Sequence, residues 1–176
     1  MKKIGLIPCL LLSFSIYAQQ KVYPLVKGYG GVNAIPIPVG KPDPGQTYNI
    51  VVEVNTDHTK PEVVHELMEK IASIANLHAL GGVSPERLHL VAVIHGPAAP
   101  FIQTDSAYQQ RHGIPNPNLA LFRALKAAGV RLEVCAQSMV KRNLPPATIA
   151  PEFDIALSAM TALSTYQRRG YILLKL

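Results

Sequence analysis

The sequence predicts an α/β protein with three layers, in which helices cover both faces of a mostly parallel five-stranded sheet. From residue 48 onward, short apolar runs alternate with segments whose apolar residues recur at helical spacing. No two consecutive strands are separated by the short turn that joins a hairpin. Gly82, Gly129 and Gly170 follow three of the predicted helices. Strands that alternate with helices in this way run parallel in one sheet.

The predicted strands are short and rich in β-branched or aliphatic residues. Buried parallel strands have this composition, because helices cover both of their faces. They cover residues 49–54, 88–94, 130–135, 154–158 and 171–176.

The first helix is predicted to begin at Thr59, a good N-cap residue. Pro61 then lies in the first turn, and Glu62 stands at the capping-box position three residues after Thr59. Helical periodicity continues to the glycine pair at residues 81 and 82. This helix is therefore predicted to connect the first two strands.

The remaining connections are predicted to hold a long loop and three more helices. The loop covers residues 96–116 and includes one short helical turn near residues 105–110; it could close over a site as a lid. A helix capped by Asn116 buries Leu121, Phe122 and Leu125. The last two helices cover residues 136–142 and 159–169.

The N-terminus has the layout of a secretory signal peptide. Lys2 and Lys3 precede an uncharged apolar stretch, and Ala18 is a plausible cleavage position. A lipoprotein signal at Cys9 and an uncleaved anchor are weaker alternatives. We therefore predict a signal peptide over residues 1–18, an extended arm over 19–47 and an α/β domain over 48–176. The mature protein is expected in the periplasm or outside the cell, with no membrane attachment after cleavage.

Removal of the signal leaves Cys135 as the only cysteine. The chain has 2 cysteines, and the other is Cys9. A lone cysteine forms no internal disulfide, so an ordinary core must hold the fold. Without Lys2 and Lys3 the formal charge falls from +6 to +4. This charge is spread along the chain, which favours small anions over nucleic acid as partners.

Candidate site residues follow the ends of three strands. In open α/β sheets, ligands bind beyond the carboxyl ends of the strands. Asn55 and Asp57 follow the first strand, His95 and Gly96 follow the second, and Cys135, Gln137 and Ser138 follow the third. The 96–116 loop leaves from the same edge of the sheet and adds Gln103, Asp105, Tyr108, Arg111 and His112.

Cys135 has the most informative position, and two interpretations of it stay open. It ends a buried strand and directly precedes a short helix, where backbone N–H groups and the helix dipole can stabilise a thiolate. Free cysteine is also among the most buried residue types, so Cys135 can equally be a small structural hydrophobe. His95 is likewise either a general base or a histidine satisfied by a backbone carbonyl.

Several familiar motifs are absent from the sequence. No strand is followed by a dinucleotide-binding or P-loop motif, so no cofactor is predicted. The sequence contains no nucleophile elbow of an α/β-hydrolase and no CxxC redox motif. A zinc or copper site of Cys135, His95 and His112 lacks a dense ligand motif, and no metal is predicted.

Three segments of the chain resemble the DsrE/DsrF-like proteins of the DsrEFH superfamily. They are VAVIHGPA, the run LFRALKAAGVRLEVCAQSMVKRNLPP and the closing DIALSAMTALSTYQRRGYILLKL. The resemblance covers residues 48–176. It implies a parallel five-stranded sheet between helix layers, in a flavodoxin-like arrangement, and a trimeric, hexameric or similar ring assembly. It also implies that the cysteine matching Cys135 accepts sulfur as a persulfide and passes it on.

The functional expectation is therefore an exported sulfur-handling protein that carries a persulfide or thiol on Cys135. We expect His95, Gly96, Asn55, Gln137, Ser138, Tyr108 and Arg111 to contribute to substrate binding. A sulfur donor or acceptor protein and further copies of the chain are the expected partners. The alternative is a non-catalytic homo-oligomeric module that binds a small ligand or a metal, with Cys135 as a structural residue.

Overall fold

The structure, a computed structural model, describes residues 21–36, 40–56 and 59–176. The predicted signal peptide, Asp57 and His58 lie outside these residues. The five strands are β1 (Tyr48–Val54), β2 (Leu88–Ile94), β3 (Arg131–Cys135), β4 (Phe153–Ala156) and β5 (Ile172–Leu174). The α-helices of the described ranges are α1 (Glu66–Leu80), α2 (Asp105–His112), α3 (Leu119–Ala127), α4 (Ala136–Lys141) and α5 (Ala159–Arg168).

The sheet confirms the predicted fold class. All of its strand pairs are parallel, and the strand order is β4-β3-β2-β1-β5. Flavodoxin-like sheets share the three layers but have the order 2-1-3-4-5. The predicted flavodoxin-like arrangement therefore holds for the layers and not for the strand order, because β5 returns to pair with β1.

The two faces of the sheet are covered unequally. On one face, α1 and α3 pack against a large apolar cluster that includes Leu90, Phe122 and Leu132. On the other face, α5 covers β1 and β2, and the buried cluster there is small. Cys135 belongs to this smaller cluster. Cys135 therefore lies on the thinly covered face of the sheet.

Helix α1 begins at Glu66, seven residues after the predicted N-cap Thr59. Backbone groups before Glu66 are held by other parts of the fold: Asn118 Oδ1 accepts from His65 N–H at 2.7 Å, and the Tyr108 hydroxyl donates to the Pro61 carbonyl at 2.9 Å. These tertiary hydrogen bonds replace the helical turn that the Thr59 signal predicted. The predicted start was therefore wrong.

The predicted loop at residues 96–116 is mostly helical. It contains a 3₁₀ helix at Gly96–Ile102 and α2, which is longer than the single turn predicted. Ala98, Phe101 and Ile102 are buried in the core. The backbone of the 96–116 segment is also bonded to the connector before β4. Thr104 N–H donates to the Thr148 carbonyl at 2.8 Å. A segment anchored in this way is part of the scaffold, so the structure does not support the lid.

The described residues of the predicted arm lie against α1. Val22 and Val32 form an isolated antiparallel bridge, which closes a small loop of chain. Asn76, fully buried on α1, accepts from the N–H groups of Leu25 and Val26 at 2.9 and 2.8 Å. Its amide also donates to the carbonyls of Tyr29 and Gly30. One side chain thus fixes the backbone of this loop.

Candidate active site

Cys135 and His95 are brought together by the strand register. Ile94 pairs with Val134, so the next residues of the two strands, His95 and Cys135, lie side by side at the carboxyl edge of the sheet. Adjacent strands are about 4.8 Å apart. Both residues line a cleft of about 330 Å³ between the sheet edge, α4 and α5. This is the edge at which the sequence placed the candidate site.

Cys135 lies at the junction of β3 and α4 and is 4% exposed. Burial acts to raise the pKa of its thiol, but hydrogen bonds to the sulfur outweigh that effect. The Ser138 side chain contributes most, followed by the backbone N–H groups of Ala159, Ser138 and Gln137. The net pKa is therefore lower than that of an ordinary thiol. Because Ala159 begins α5 and Gln137 and Ser138 lie in the first turn of α4, the groups that lower this pKa belong to the starts of two helices.

Ser138 is held by the loop that follows β2. Its Oγ accepts a hydrogen bond from Gly96 N–H at 2.9 Å. Because an accepting hydroxyl keeps its own proton to donate, Ser138 can donate to the Cys135 sulfur at the same time. Gly96 has φ +56°, a left-handed conformation that suits glycine. The predicted site residues Gly96 and Ser138 thus act together on Cys135.

His95 is bound to a carboxylate that sequence reasoning missed. Its Nε2 lies 2.8 Å from Glu53 Oε1, and both side chains are about a quarter exposed. Glu53 is on β1 in the apolar run NIVVEV, and it faces the α5 side of the sheet because side chains alternate along a strand. A charged residue within a buried strand was the signal that could have identified it.

Two further predicted residues, Gln137 and Asn55, differ in whether they line the cleft. Gln137 lines the cleft and donates to the Leu157 carbonyl at 3.4 Å. Asn55 is exposed at the end of β1, with its amide 3.5 Å from Glu53 Oε1. The remaining residues that line the cleft, none of them predicted, are Lys141, Ser158, Ala159, Met160 and Leu163.

Tyr108 and Arg111 are not among the residues that line this cleft. Tyr108 is buried and bonded to Pro61, and its ring lies tilted by 41° against that of His112 at a centroid distance of 4.4 Å. Arg111 Nε donates to Gln103 Oε1 at 2.7 Å. Helix α2 therefore places Tyr108 and Arg111 against residues close to α2 itself. His112 packs against Tyr108 in the same region. Within the described ranges, no three His, Cys, Asp or Glu side chains cluster as a metal site would require.

The model of a known protein family matches most of the chain. The sequence model of the DsrE/DsrF-like family matches residues 58–176. The chain belongs to the DsrE/DsrF-like family. The matched region holds His95, Cys135 and Ser138, whereas Glu53 precedes it. No curated protein matches the chain.

Two solved structures share the DsrE/DsrF-like fold. One is the protein of unknown function MTH1491 from Methanobacterium thermoautotrophicum, with a TM-score of 0.56, 16% identity, and coverage of 73% of this chain and 99% of that one. The other is the ychN protein from E. coli, with a TM-score of 0.53, 13% identity, and coverage of 74% and 100%. At these identities the likeness concerns the fold.

Proposed function

We propose that this DsrE/DsrF-like protein handles sulfur by carrying it on Cys135 as a persulfide. The observation that carries the proposal is the position of Cys135 at the end of β3, where it lines a cleft beside His95. The pKa of its thiol is raised by burial but lowered on balance by hydrogen bonding. A thiolate is the nucleophilic form of cysteine. Family membership supports sulfur as the cargo.

The cleft beside Cys135 suits a step in which sulfur enters and leaves from one side. Its walls combine Glu53, His95 and Lys141 with the apolar side chains of Met160 and Leu163. The Cys135 thiolate attacks the outer sulfur of a donor persulfide, and the donor's sulfur–sulfur bond breaks. Cys135 becomes a persulfide and the donor leaves as a thiolate. The reverse attack, by an acceptor thiolate on the outer sulfur of the Cys135 persulfide, unloads the protein.

Intact-mass measurement after exposure to a small persulfide tests this proposal. We expect a gain of about 32 Da, the mass of one sulfur atom, that dithiothreitol removes and that the Cys135→Ser variant lacks. A wild-type protein that gains no mass, with a thiol that resists alkylation while folded, would contradict the proposal. That outcome would favour the alternative in which Cys135 is structural.

We further propose that the chain forms a homo-oligomer, a trimer or a hexamer. Four apolar side chains between residues 140 and 160 support this, because large apolar surface is normally covered. Val140, Leu157 and Met160 are 76%, 72% and 80% exposed, and Ile155 is 48% exposed. Light scattering at micromolar concentration tests it. A monomeric mass would contradict it, whereas loss of the oligomer in Val140→Asp, with an unaffected Gln167→Asp control, would support it.

A periplasmic or secreted location is also part of the proposal, on the strength of the N-terminal sequence. Lys2 and Lys3, the apolar stretch and Ala18 support export. Among the residues that the structure describes, no helix has the length and apolar character to cross a bilayer. N-terminal sequencing of the protein recovered from cell fractions tests the location. A periplasmic protein that begins at Gln19 is the expected result, and an intact N-terminus in the cytoplasm would contradict it.

A further inference from the structure

The Glu53–His95 pair supplies a function that the sulfur-carrier proposal does not itself assign. Cys135 needs to lose a proton before it attacks, and a departing thiolate needs to gain one. His95 neighbours Cys135 across the strand ends and lines the same cleft. Its Nε2 is bound to Glu53 Oε1 at 2.8 Å. A carboxylate only accepts hydrogen bonds, so Nε2 carries the hydrogen and Nδ1 holds the lone pair of the neutral ring.

We propose that His95 is the proton shuttle of the cleft and that Glu53 is the positioning residue that fixes its tautomer. This inference rests on the proposed function, because the shuttle serves sulfur transfer. His95 takes the proton of the Cys135 thiol. The resulting thiolate attacks the outer sulfur of the donor persulfide. The donor's inner sulfur leaves as a thiolate and takes the proton from the His95 imidazolium. Atoms, charge and electrons balance without an oxidant or reductant.

The surroundings of His95 fit this assignment. From β1 it faces the Glu53 carboxylate, and from α4 the cleft receives the Lys141 ammonium. Ser158, the N-cap of α5, and Met160 and Leu163 on α5 carry no charge. Cys135 itself is the remaining titratable group that lines the cleft. The Glu53 carboxylate holds the ring through its Nε2–H, which leaves Nδ1 as the nitrogen that accepts a proton.

The donor's leaving group provides a test that a purely structural role would not pass. Transfer from an alkyl persulfide releases a basic thiolate, which needs the proton from His95. Reaction with 5,5′-dithiobis(2-nitrobenzoic acid) releases an acidic aromatic thiolate, which needs none. Both reactions need the Cys135 thiolate, but the thiol proton also exchanges with water before the attack, so the two reactions differ in the proton returned to the leaving group. We therefore compare both reaction rates of Cys135 at pH 7 in wild type, His95→Gln, Glu53→Gln and the control His89→Gln. His89 is exposed on β2, in register with Asn49 and away from the carboxyl edge.

We expect His95→Gln to slow sulfur uptake from an alkyl persulfide by about 100-fold, the lower end of general acid–base effects. Glu53→Gln should slow it about tenfold, because a glutamine amide can donate to Nε2 and so favour the tautomer with a proton on Nδ1. Both variants should react with the aromatic disulfide within a few-fold of wild type. His89→Gln should change neither rate.

Three outcomes would overturn the inference. Equal loss of both reactions in His95→Gln and Glu53→Gln would mean that these residues act on the Cys135 thiol or on the shape of the cleft and deliver no proton to the leaving group. Wild-type uptake in both variants would remove the shuttle and leave the carrier proposal standing. A wild-type protein that takes up no sulfur but reacts with the aromatic disulfide would instead contradict the carrier proposal, and the shuttle would fall with it. Melting temperatures of the variants confirm that they are folded.

Discussion

Gly96 N–H donates to Ser138 Oγ at 2.9 Å, and this bond links the loop after β2 to the helix after β3. Neither residue is reactive. Together they orient one hydroxyl group toward the only cysteine of the described chain, which is buried.

Replacement of Ser138 by alanine should raise the pKa of Cys135. The Ser138 side chain is the strongest of the influences that lower this pKa, and burial would then act with less opposition. A net hydrogen bond is worth about 1 kcal/mol, so alkylation by iodoacetamide at pH 7 should slow about fivefold. Ser138→Thr keeps the hydroxyl and is the matched control. Equal rates in wild type and Ser138→Ala would show that the hydroxyl does not act on the sulfur.

The stability of the protein should depend on pH through Cys135. Its pKa is lowered in the folded state, so the folded protein favours the thiolate. The resulting stabilisation is complete above the pKa of an unfolded cysteine, about 8.5. It disappears as the pH falls through the lower folded-state pKa. The free energy of unfolding, measured by urea titration from pH 5 to pH 10, should show this change in wild type. Cys135→Ser should lack it.

Gly96→Ala should destabilise the protein. Gly96 has φ +56°, and an L-residue in this conformation costs about 1–2 kcal/mol. A Cβ atom there would meet the Asn55 carbonyl oxygen at an ordinary 3.5 Å, so backbone strain and not a clash is the cause. Urea unfolding should show this loss. Gly113→Ala, at φ +77° with open space around it, should cost a similar amount and leave the reactivity of Cys135 unchanged.

Tyr166 should be coupled energetically to Glu133. The Tyr166 hydroxyl donates to Glu133 Oε1 on the thinly covered face of the sheet, where both side chains are buried. Burial raises the pKa of Tyr166, and the bond to Glu133 raises it further. Tyr166→Phe leaves a buried carboxylate without this donor and should cost about 1–3 kcal/mol of unfolding free energy. A double-mutant cycle with Glu133→Gln should show non-additive losses, and additive losses would contradict the coupling.

Asn76 should hold the N-terminal loop in place. Its side chain bonds backbone groups of Leu25, Val26, Tyr29 and Gly30 from a fully buried position. Asn76→Ala should lower the free energy of unfolding by about 3 kcal/mol, since several backbone groups lose their partner at once. It should also allow proteolysis within residues 21–33 before the rest of the chain is cut. Asn33→Ala, at an exposed position, is the control.

Local sequence patterns were enough to predict the sheet and several of the residues that meet at its carboxyl edge. The alternation of strands and helices gave the parallel sheet, and Cys135, His95, Gly96 and Ser138 were predicted at its carboxyl edge. Glu53 was missed because its role depends on strand register and on which face of β1 it occupies. The start of α1 was misplaced because Asn118 and Tyr108, distant in sequence, bond the backbone where local capping signals placed a helix.

Release of sulfur from the protein that bears a persulfide tests most directly whether Cys135 is a sulfur carrier. The protein is exposed to a small persulfide, freed of it by gel filtration and mixed with one equivalent of a small thiol, and both masses are followed. We predict that the protein loses about 32 Da at the rate at which the thiol gains it, and that Cys135→Ser transfers nothing. A protein that never gains the extra sulfur, or that keeps it in the presence of the thiol, would contradict the role of Cys135 as a carrier.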